Sequence, residues 1–373
     1  MKIAILSPFS PYRGGIAQFS GMLYNSLDAA GVEVKAFNFS RLYPDLLFPG
    51  KTQYVDPKEE TLPIPSVRTL DSINPLSYFK TVEAIKAFDP DVLIISYWMS
   101  FFVPAYAHIA NRMKKNCKVI TLIHNAIPHE PRFFDQPLAT LLFKQCAGFV
   151  VLSEQVASDL KKMYPKANYL LTPHPLYTHF GAKIDATIAK QQLGLDVTKK
   201  TLLFFGLIRD YKGLDLLIDA FTQLDAGYQL LIAGECYGSF DKYQQQIAQS
   251  GAASRIHVCN QYIADSEIAT YFSAADALIL PYRTATQSGV LSVAYHFELP
   301  VVSTPVGDFP NSIGTTAVGI VVPEITAASL TEGIESLFAP NQMAYFHTQI
   351  VKHKTALSWE VLTERLCEFI PRI

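Results

Sequence analysis

Short apolar runs alternate with helical patterns along almost the whole chain, and this alternation constrains the fold more than any other feature. Runs such as DVLIISYWM and GFVVLS are apolar nearly throughout, and helical patterns such as PLSYFKTVEAIKAF and EQVASDLKKMY lie between them. Strands of this kind are buried on both faces, as they are when helices cover both faces of a parallel sheet. The sequence therefore predicts an α/β fold with doubly wound, Rossmann-like parallel sheets.

The alternation is interrupted by the segment YLLTPHPLYTHFGAKID, which has two prolines and little periodicity. We place a domain junction there, at residues 172–180, because a second alternation of strands and helices follows. The 373 residues are enough for two domains of about 150 residues each. The predicted domains are residues 1–175 and 176–355, followed by a last helix in residues 356–373. Because ligands of open α/β folds bind at the carboxyl ends of the strands, we expect a cleft between two such edges.

Composition and charge argue against several classes of function. The net charge of −2 argues against a nucleic-acid-binding protein, which would carry a basic surface. The five cysteines have no CxxC or zinc-type spacing and are typical of buried thiols in a reducing compartment. The N-terminal run is typical of a strand rather than a signal peptide, and no run approaches the roughly 18 apolar residues of a membrane span. We therefore expect a cytoplasmic protein whose contact with the inner membrane is at most peripheral.

Two glycines follow the first predicted strand, in SPYRGGIAQF. Gly14 and Gly15 lie between that strand and the first predicted helix, where backbone amides can approach an anionic ligand closely. The spacing is not that of a GxGxxG fingerprint, so an ordinary strand–helix turn remains the alternative.

A pair of cations follows the first apolar strand of the second half, in FFGLIRDYKGLDLLIDAF. Gly206 lies at the end of the strand, and Arg209 and Lys212 precede a long helix. An arginine fork and a lysine point charge at the carboxyl end of such a strand suit a diphosphate. Two solvated loop charges are the alternative, but the buried strand and the following Gly213 favour a diphosphate site.

The segment TATQSGVLSVAYHF is a third candidate for anion binding. Ser288, Gly289 and Val290 open a predicted helix after the strand DALILPY. Exposed backbone amides there can hold phosphate oxygens, together with the side chains of Thr286 and Gln287. Simple N-capping by Ser or Thr is the alternative, and both can hold at once.

A candidate for hydrogen bonding to a ligand follows a predicted strand of the first half, in LIHNAIPHE. His124 comes directly after the strand and can hydrogen-bond a sugar hydroxyl or a carbonyl group. His129 and Glu130 follow it, and each histidine can instead be structural. Pro128 lies between the two histidines, and their spacing does not suit a helix-borne metal site, so we expect no metal.

Together these motifs resemble the family-4 retaining glycosyltransferases of the two-Rossmann, or GT-B, fold, also called glycosyl transferases group 1. The resemblance covers essentially the whole chain and is carried by RGGIAQF, LIHN, FFGLIRDYKGLDLLIDAF, LLIAGE, YFSAADALILPY, LPVVSTPVG and the terminal SWE. It implies that Arg209 and Lys212 hold the diphosphate of a nucleotide sugar and stabilise its departing charge. It also implies that His124 contacts the donor sugar.

The resemblance has further implications for the rest of the site. The loop of Gly14 and Gly15 would face the donor phosphate or the acceptor, and the last helix would cross back to the first domain. In this fold the backbone makes most of the contacts to the nucleotide base. In this chain we expect those contacts around residues 261–263, at Tyr262 and Ile263. Both uridine and guanosine diphosphate donors remain open, and no further cofactor is implied.

One stretch departs from the pattern of the resembled family. Members usually carry two glutamates separated by seven residues, and the corresponding positions here are Ala285 and Val293. Neither side chain can bind a hydroxyl group. Thr286, Gln287 and Ser288 are the nearest polar substitutes, and since Arg209 and Lys212 are retained we interpret the stretch as a variant site rather than an inactive one.

The function favoured by these features is retaining, metal-independent transfer of a sugar from a nucleotide diphosphate to a glycan or lipid-linked acceptor, as in cell-surface polysaccharide synthesis. The long loop SRLYPDLLFPGKTQYVDP is expected to line the acceptor side, with a passive surface flap as the alternative. Two other functions remain open: a non-catalytic sugar-nucleotide-binding scaffold, and a nucleotide-sugar epimerase on the same fold.

Overall fold

The computed structural model describes residues 1–44, 52–55, 64–127, 132–285 and 288–373. The chain divides into two compact units. The first comprises Met1–Pro175 together with Leu357–Ile373, and the second comprises Leu176–Ala356. Each unit is built around its own parallel sheet, and the two are described separately below.

The first unit contains a seven-stranded parallel sheet with helices between the strands. The sheet order is β3-β2-β1-β4-β5-β6-β7, so the chain leaves β1 in one direction and returns to pair β4 on its other side. In chain order the elements are β1 (Lys2–Leu6), α1 (Gly15–Ala29), β2 (Glu33–Arg41), β3 (Ser66–Asp71), α2 (Pro75–Phe88), β4 (Val92–Tyr97), α3 (Val103–Met113), β5 (Lys118–Ile123), α4 (Asp135–Phe143), β6 (Gly148–Val151), α5 (Glu154–Met163) and β7 (Tyr169–Leu171).

The second unit repeats this arrangement with a six-stranded parallel sheet. Its order is β10-β9-β8-β11-β12-β13, which places the reversal of strand order between β8 and β11. The elements are α6 (Ala186–Gln192), β8 (Lys200–Phe205), α7 (Leu214–Thr222), β9 (Tyr228–Ala233), α8 (Asp241–Gln249), β10 (Ile256–Cys259), α9 (Ile268–Ala274), β11 (Ala277–Leu280), α10 (Gly289–His296), β12 (Val301–Ser303), β13 (Gly319–Val321), α11 (Ala327–Leu337) and α12 (Gln342–Lys354).

The last helix, α13 (Trp359–Phe369), belongs to the first unit. The hydroxyl of Ser358 caps its start by accepting a hydrogen bond from the amide of Val361 at 3.2 Å. The hydroxyls of Thr363 and Ser26 on α1 are 2.7 Å apart, and Arg365 donates to the carbonyl of Leu171 on β7 at 2.8 Å. The helix is therefore held to this unit by polar contacts as well as by packing.

The central strands are buried as their apolar sequences predict. All six residues of β4 and all six of β9 are buried. The predicted pair of doubly wound parallel sheets is thus confirmed. The sequence did not indicate β3 or β7, because both are edge strands: β7 has only three residues, and β3 carries Arg68 and Asp71 among its six residues. None of the helices in the described residues combines the length and the apolar composition needed to cross a membrane.

Candidate functional site

The ends of β8 and β9 lie unusually close together at the carboxyl edge of the second unit. Gly234 has a φ of 152°, and a Cβ added there would lie 2.0 Å from the carbonyl oxygen of Gly206. Gly206 itself has a φ of 98°. The loops continue the pairing beyond the strands, since the amide of Ile208 donates to the carbonyl of Glu235 at 2.9 Å. Glycine is required for this close approach, which provides a rigid backbone floor.

Lys212 places a buried ammonium group on this floor. The residue ends the 3₁₀ turn Asp210–Lys212 and is only 8% exposed. A Cβ added to Gly206 would lie 3.2 Å from Nζ, and the ring centroid of Tyr282 is 5.4 Å from Nζ. Burial lowers the pKa of Lys212, and within the described residues no carboxylate forms an ion pair with it. Because a buried charge without a counter-ion is costly, the ammonium is suited to an anionic ligand.

Arg209 lies on the same turn as Lys212. The amide of Lys212 donates to the carbonyl of Arg209 at 2.9 Å, which ties the two residues together. The guanidinium carbon of Arg209 lies 6.0 Å from the ring centroid of Tyr237, on the loop that follows β9. A partly buried guanidinium and a buried ammonium therefore share the loop after β8.

The start of α10 borders this floor. A Cβ added to Gly206 would lie 3.5 Å from Cγ2 of Val290, which follows the first helical residue, Gly289. Ser288 occupies the N-cap position, but its side chain makes no cap hydrogen bond to the described part of the helix; its oxygen lies 3.5 Å from the hydroxyl oxygen of Tyr282. The hydroxyl of Ser288 is therefore not committed to the described part of the helix, and capping by Thr286 lies outside the described residues.

The two residues that stand where the resembled family carries glutamates are both at least partly buried. Val293 lies in the middle of α10 and is 5% exposed, and Ala285 is partly buried at the end of the loop that precedes Thr286. Thr286 and Gln287, two of the three polar substitutes considered from the sequence, lie outside the described residues.

Tyr262 and Ile263 lie beyond the end of β10, in the loop that leads to α9. Ile263 is buried and Tyr262 is partly buried. In the sheet, β9 lies between β8 and β10, so a single strand separates this loop from the turn that carries Arg209 and Lys212. The two segments flank the end of β9 at the same edge of the sheet.

The corresponding edge of the first unit begins with Gly14 and Gly15. Gly14 is the N-cap of α1, with a φ of 104° that an L side chain rarely adopts, although a Cβ there would meet no atom within 4 Å. Gly15 begins the helix. The preceding loop is held by Asn38, which accepts a hydrogen bond from the amide of Phe9 at 3.1 Å and donates to the carbonyls of Phe9 and Ser10. The loop therefore leaves open space on the Cβ side of Gly14 at the start of α1.

His124 lies at the carboxyl end of β5 in the same unit. Its amide donates to the carbonyl of Tyr97 at 2.9 Å, and its ring contacts Phe19 edge-on with centroids 5.0 Å apart. Burial, aided by the nearby His174, lowers the pKa of His124 to about 3. The imidazole is consequently uncharged at neutral pH and can act through hydrogen bonding rather than charge.

Sequence analysis did not single out His174. It lies just past β7, where Nδ1 is 2.7 Å from the carbonyl oxygen of Pro175. Burial lowers its pKa to about 4. Its ring packs edge-on against Phe19, as does the indole of Trp359 at the start of α13. The segment TPHP was interpreted only as a domain junction, and nothing in its pattern indicates that Phe19 connects it to α1 and α13.

Some predicted residues fall outside the part of the structure that can be described. His129 and Glu130 lie there, as does much of the long loop expected to line the acceptor side, residues 45–51 and 56–57. In the described residues, no group of three or more His, Cys, Asp or Glu side chains lies close enough to hold a metal ion.

Comparisons with known proteins agree with the two-unit architecture. Residues 13–172 match the model described as "Glycosyltransferase Family 4", and residues 199–339 match the model described as "Glycosyl transferases group 1". Among solved structures, sucrose-phosphate synthase from Thermosynechococcus elongatus superposes with a TM-score of 0.78 at 19% identity, covering 100% of this chain and 98% of that one. Anabaena Alr3699/HepE in complex with UDP has a TM-score of 0.77 at 16% identity, with 100% of each chain covered. At these identities the likeness concerns the fold.

Curated relatives match over about half of this chain. The D-inositol 3-phosphate glycosyltransferase of Segniliparus rotundus is 27% identical over 191 residues, which are 49% of this chain and 42% of the relative. The lipopolysaccharide core biosynthesis mannosyltransferase LpsB of Rhizobium meliloti is 29% identical over 171 residues, 42% of this chain and 48% of the relative. The chain thus spans less than half the length of these relatives. The two family models, the relatives and the paired parallel sheets lead to one conclusion: the chain belongs to the family 4, group 1 glycosyltransferases and has the GT-B fold.

Proposed function

We propose that this protein transfers a sugar, with retention of configuration, from a nucleotide diphosphate to a glycan or lipid-linked acceptor. The observation that carries the proposal is the buried ammonium of Lys212, which has no carboxylate partner among the described residues and lies against Gly206 and near the start of α10. A diphosphate supplies the missing negative charge. Exposed amides at a helix start and a nearby guanidinium provide further donors for its oxygens.

In the proposed reaction, the bond between the anomeric carbon and the diphosphate oxygen breaks, and the electron pair remains on the diphosphate. Lys212 and Arg209 stabilise that developing charge, so the step has no need of a metal ion. The acceptor hydroxyl oxygen attacks the same face of the sugar, and its proton passes to the departing phosphate. His124, which is uncharged, is proposed to hydrogen-bond the donor sugar.

The proposed front-face reaction requires no protein nucleophile. Two carboxylates, Glu130 and Asp308, could be considered as nucleophiles, and the former lies outside the described residues. Asp308 follows β12, where its carbonyl accepts hydrogen bonds from the amide and hydroxyl of Ser312 at 2.8 and 2.9 Å. Glycosidase-type retention instead depends on a positioned carboxylate pair.

The first experiment is a panel of UDP- and GDP-sugars assayed by thermal shift and by slow donor hydrolysis. A nucleotide present at about 100 times its Kd adds roughly 2.7 kcal/mol to the free energy of unfolding, which is visible as a rise in Tm. We expect one base to stabilise the wild type and Arg209→Ala to lose both stabilisation and hydrolysis. A wild type that no nucleotide sugar stabilises would contradict the proposal.

A non-catalytic sugar-nucleotide-binding scaffold is the second candidate, because Ala285 and Val293 stand where the resembled family carries glutamates. A scaffold would be stabilised by a nucleotide sugar, yet neither hydrolyse it nor transfer its sugar to an added glycan or glycolipid. Hydrolysis by the wild type, lost in Arg209→Ala, supports the transferase over the scaffold.

We further propose that the acceptor is reached at a membrane surface by peripheral contact of the first unit. Supporting this proposal are the exposed apolar side chains at and just before the start of α2: Ile73 is 47%, Leu76 71% and Phe79 48% exposed. The guanidinium carbon of Arg112 on α3 lies 5.7 Å from the ring centroid of Phe79. Exposed apolar side chains beside cations are typical of contacts with anionic lipid. Co-sedimentation with phosphatidylglycerol vesicles tests it: we expect binding by the wild type and loss of binding in Leu76→Asp.

A further inference from the structure

Arg283 lies just beyond the carboxyl end of β11 and contacts the turn that carries Lys212, yet it has no part in the proposed chemistry. Its amide donates to the carbonyl of Tyr211 at 2.7 Å, and Nη1 of its guanidinium donates to the carbonyl of Asp210 at 3.1 Å. The same guanidinium binds the carboxylate of Asp215 in a bidentate pair, with distances of 2.8 and 2.6 Å. One arginine thus joins the loop after β11 to this turn and to the first turn of α7.

The backbone around this contact is closely packed. A Cβ added to Gly213, the N-cap of α7, would lie 2.0 Å from the carbonyl oxygen of Pro281. That Cβ would also lie 3.5 Å from Nη1 of Arg283, so the guanidinium lies beside the backbone that links Lys212 to Asp215. The ion pair is therefore only a few residues from the buried ammonium, at the proposed diphosphate site.

The carboxylate of Asp215 would oppose the binding of an anion here if it had no partner. It lies in the first turn of α7, and a negative charge close to a diphosphate repels it. Partial burial acts to raise the pKa of Asp215, but the hydrogen bonds and charge of Arg283 outweigh it and hold the pKa below its ordinary value. The carboxylate is therefore ionised at neutral pH. Within the described residues, Arg283 is the cation that pairs with it.

Folding stability gives this ion pair only a small role. The side chains of Arg283 and Asp215 are 42% and 41% exposed, and ion pairs with that access to solvent contribute little to the free energy of unfolding. Neutralising a carboxylate beside a binding site has a different consequence, because it changes the field that every approaching anion meets. The position of the pair therefore matters more for ligand binding than for folding.

We propose that Arg283 is a positioning residue of the diphosphate site, which acts by neutralising Asp215. The inference rests on the proposed function. The bidentate geometry and the carbonyl of Asp210 hold the guanidinium beside the carboxylate. The pair is then neutral towards the ligand, and the positive charges of Arg209 and Lys212 remain available to the diphosphate. Loss of Arg283 leaves an extra negative charge at the turn, whereas loss of the Asp215 carboxylate leaves an extra positive charge.

The test compares substitutions of the two partners, singly and together. We measure by calorimetry the Kd of UDP and GDP for the wild type, Arg283→Gln, Asp215→Asn and the variant with both substitutions. For the preferred base, Arg283→Gln should weaken binding by about tenfold, because the carboxylate then repels the diphosphate. Asp215→Asn should bind several-fold more tightly than the wild type, and the double variant should bind within about threefold of it. A purely structural contact predicts instead that both single variants weaken binding.

Two further variants separate charge from structure. Arg283→Lys keeps a cation beside the carboxylate and should bind within about threefold of the wild type. Arg255→Gln is the matched control, because Arg255 also fixes a loop, at the amino ends of β9 and β10, by donating to the carbonyls of Leu224 and Asp225. It removes similar hydrogen bonds far from the turn in the chain, and it should leave the Kd unchanged.

The outcomes separate this inference from the proposed function. Arg283→Gln that binds as the wild type does overturns the inference while the nucleotide site stands, and so does a double variant as weak as Arg283→Gln. Asp215→Asn that binds no more tightly than the wild type also overturns it, and this comparison does not depend on whether any Arg283 variant folds. A wild type that binds neither UDP nor GDP overturns the inference and the proposed function together.

Discussion

The two units share one topology but have different chemistry at the carboxyl edges of their sheets. In the second unit this edge carries a buried ammonium and a guanidinium over glycine backbone, an arrangement suited to charge. In the first unit it carries an uncharged imidazole, His124, packed among aromatic rings that include Phe19 and Trp359. The parallel sheet thus determines where a ligand-binding edge lies, whereas the few residues beyond each strand determine what that edge binds.

Replacing Lys212 by methionine is the strongest test of the charged edge. We expect nucleotide affinity and transfer activity to fall by about 10² to 10³-fold, because one of the two cations that stabilise the diphosphate is lost. The free energy of unfolding should stay unchanged or rise, because a buried cation without a described carboxylate partner is replaced by an apolar chain of similar length. Calorimetric Kd values and denaturant unfolding measure the two effects.

The matched control is Lys190, another buried lysine of the second unit. Its ammonium donates to the carboxylate of Asp276 at 2.9 Å and to the carbonyl of Lys199 at 2.8 Å. Lys190→Met should therefore lower the free energy of unfolding by about 1–3 kcal/mol and leave nucleotide affinity unchanged. A similar loss of stability in both variants would mean that Lys212 is a structural lysine.

The glycines of the two edges differ in what constrains them. Gly234→Ala should lower the free energy of unfolding by about 3 kcal/mol or more. The added Cβ would lie 2.0 Å from the carbonyl oxygen of Gly206, so the backbone itself would have to move. Gly14→Ala should cost only about 1–2 kcal/mol, since its positive φ is strained but the space is open. Urea unfolding of both variants measures the difference, and equal losses would contradict it.

The buried imidazole of the first unit predicts a dependence of stability on pH. The folded pKa of His124, about 3, lies below its ordinary value of 6.5. The unfolded chain therefore binds the proton first as the pH falls. The stability that this group contributes is complete above pH 6.5 and is lost progressively as the pH falls towards 3.

His124→Asn removes this titration. Between pH 6 and pH 5 the free energy of unfolding of this variant should decrease less than that of the wild type, by up to about 1.4 kcal/mol per pH unit. Urea unfolding at several pH values measures the slope, and His174→Asn should change it in the same direction because the pKa of His174 is also lowered, to about 4. Unchanged slopes in both variants would show that the pKa values of these imidazoles are not lowered in the folded protein.

The smallest predicted difference concerns two serines at helix starts. Ser358 accepts a hydrogen bond from the amide of Val361, so Ser358→Ala should lower the free energy of unfolding by about 1 kcal/mol. Ser288 makes no such bond in the described part of α10, so Ser288→Ala should change stability by less than about 0.5 kcal/mol. If its hydroxyl binds phosphate, the Kd for the nucleotide should nonetheless rise several-fold. Thermal unfolding and calorimetry check both expectations.

Sequence alone determined the class of fold, because runs such as VLIISY are apolar nearly throughout and are typical of strands buried on both faces. It also indicated which residues follow the buried strands, among them His124, Arg209 and Lys212, since their position depends on local order along the chain. It did not indicate β3 and β7, whose edge positions do not require a continuous apolar pattern.

Tertiary structure alone decided which of these residues come together. The close approach of Gly234 to the carbonyl of Gly206 and the packing of His124 and His174 on Phe19 depend on segments far apart in the chain. Local patterns do not carry such information, because the order of strands within a sheet and the close approach of two loops arise from packing across the whole unit.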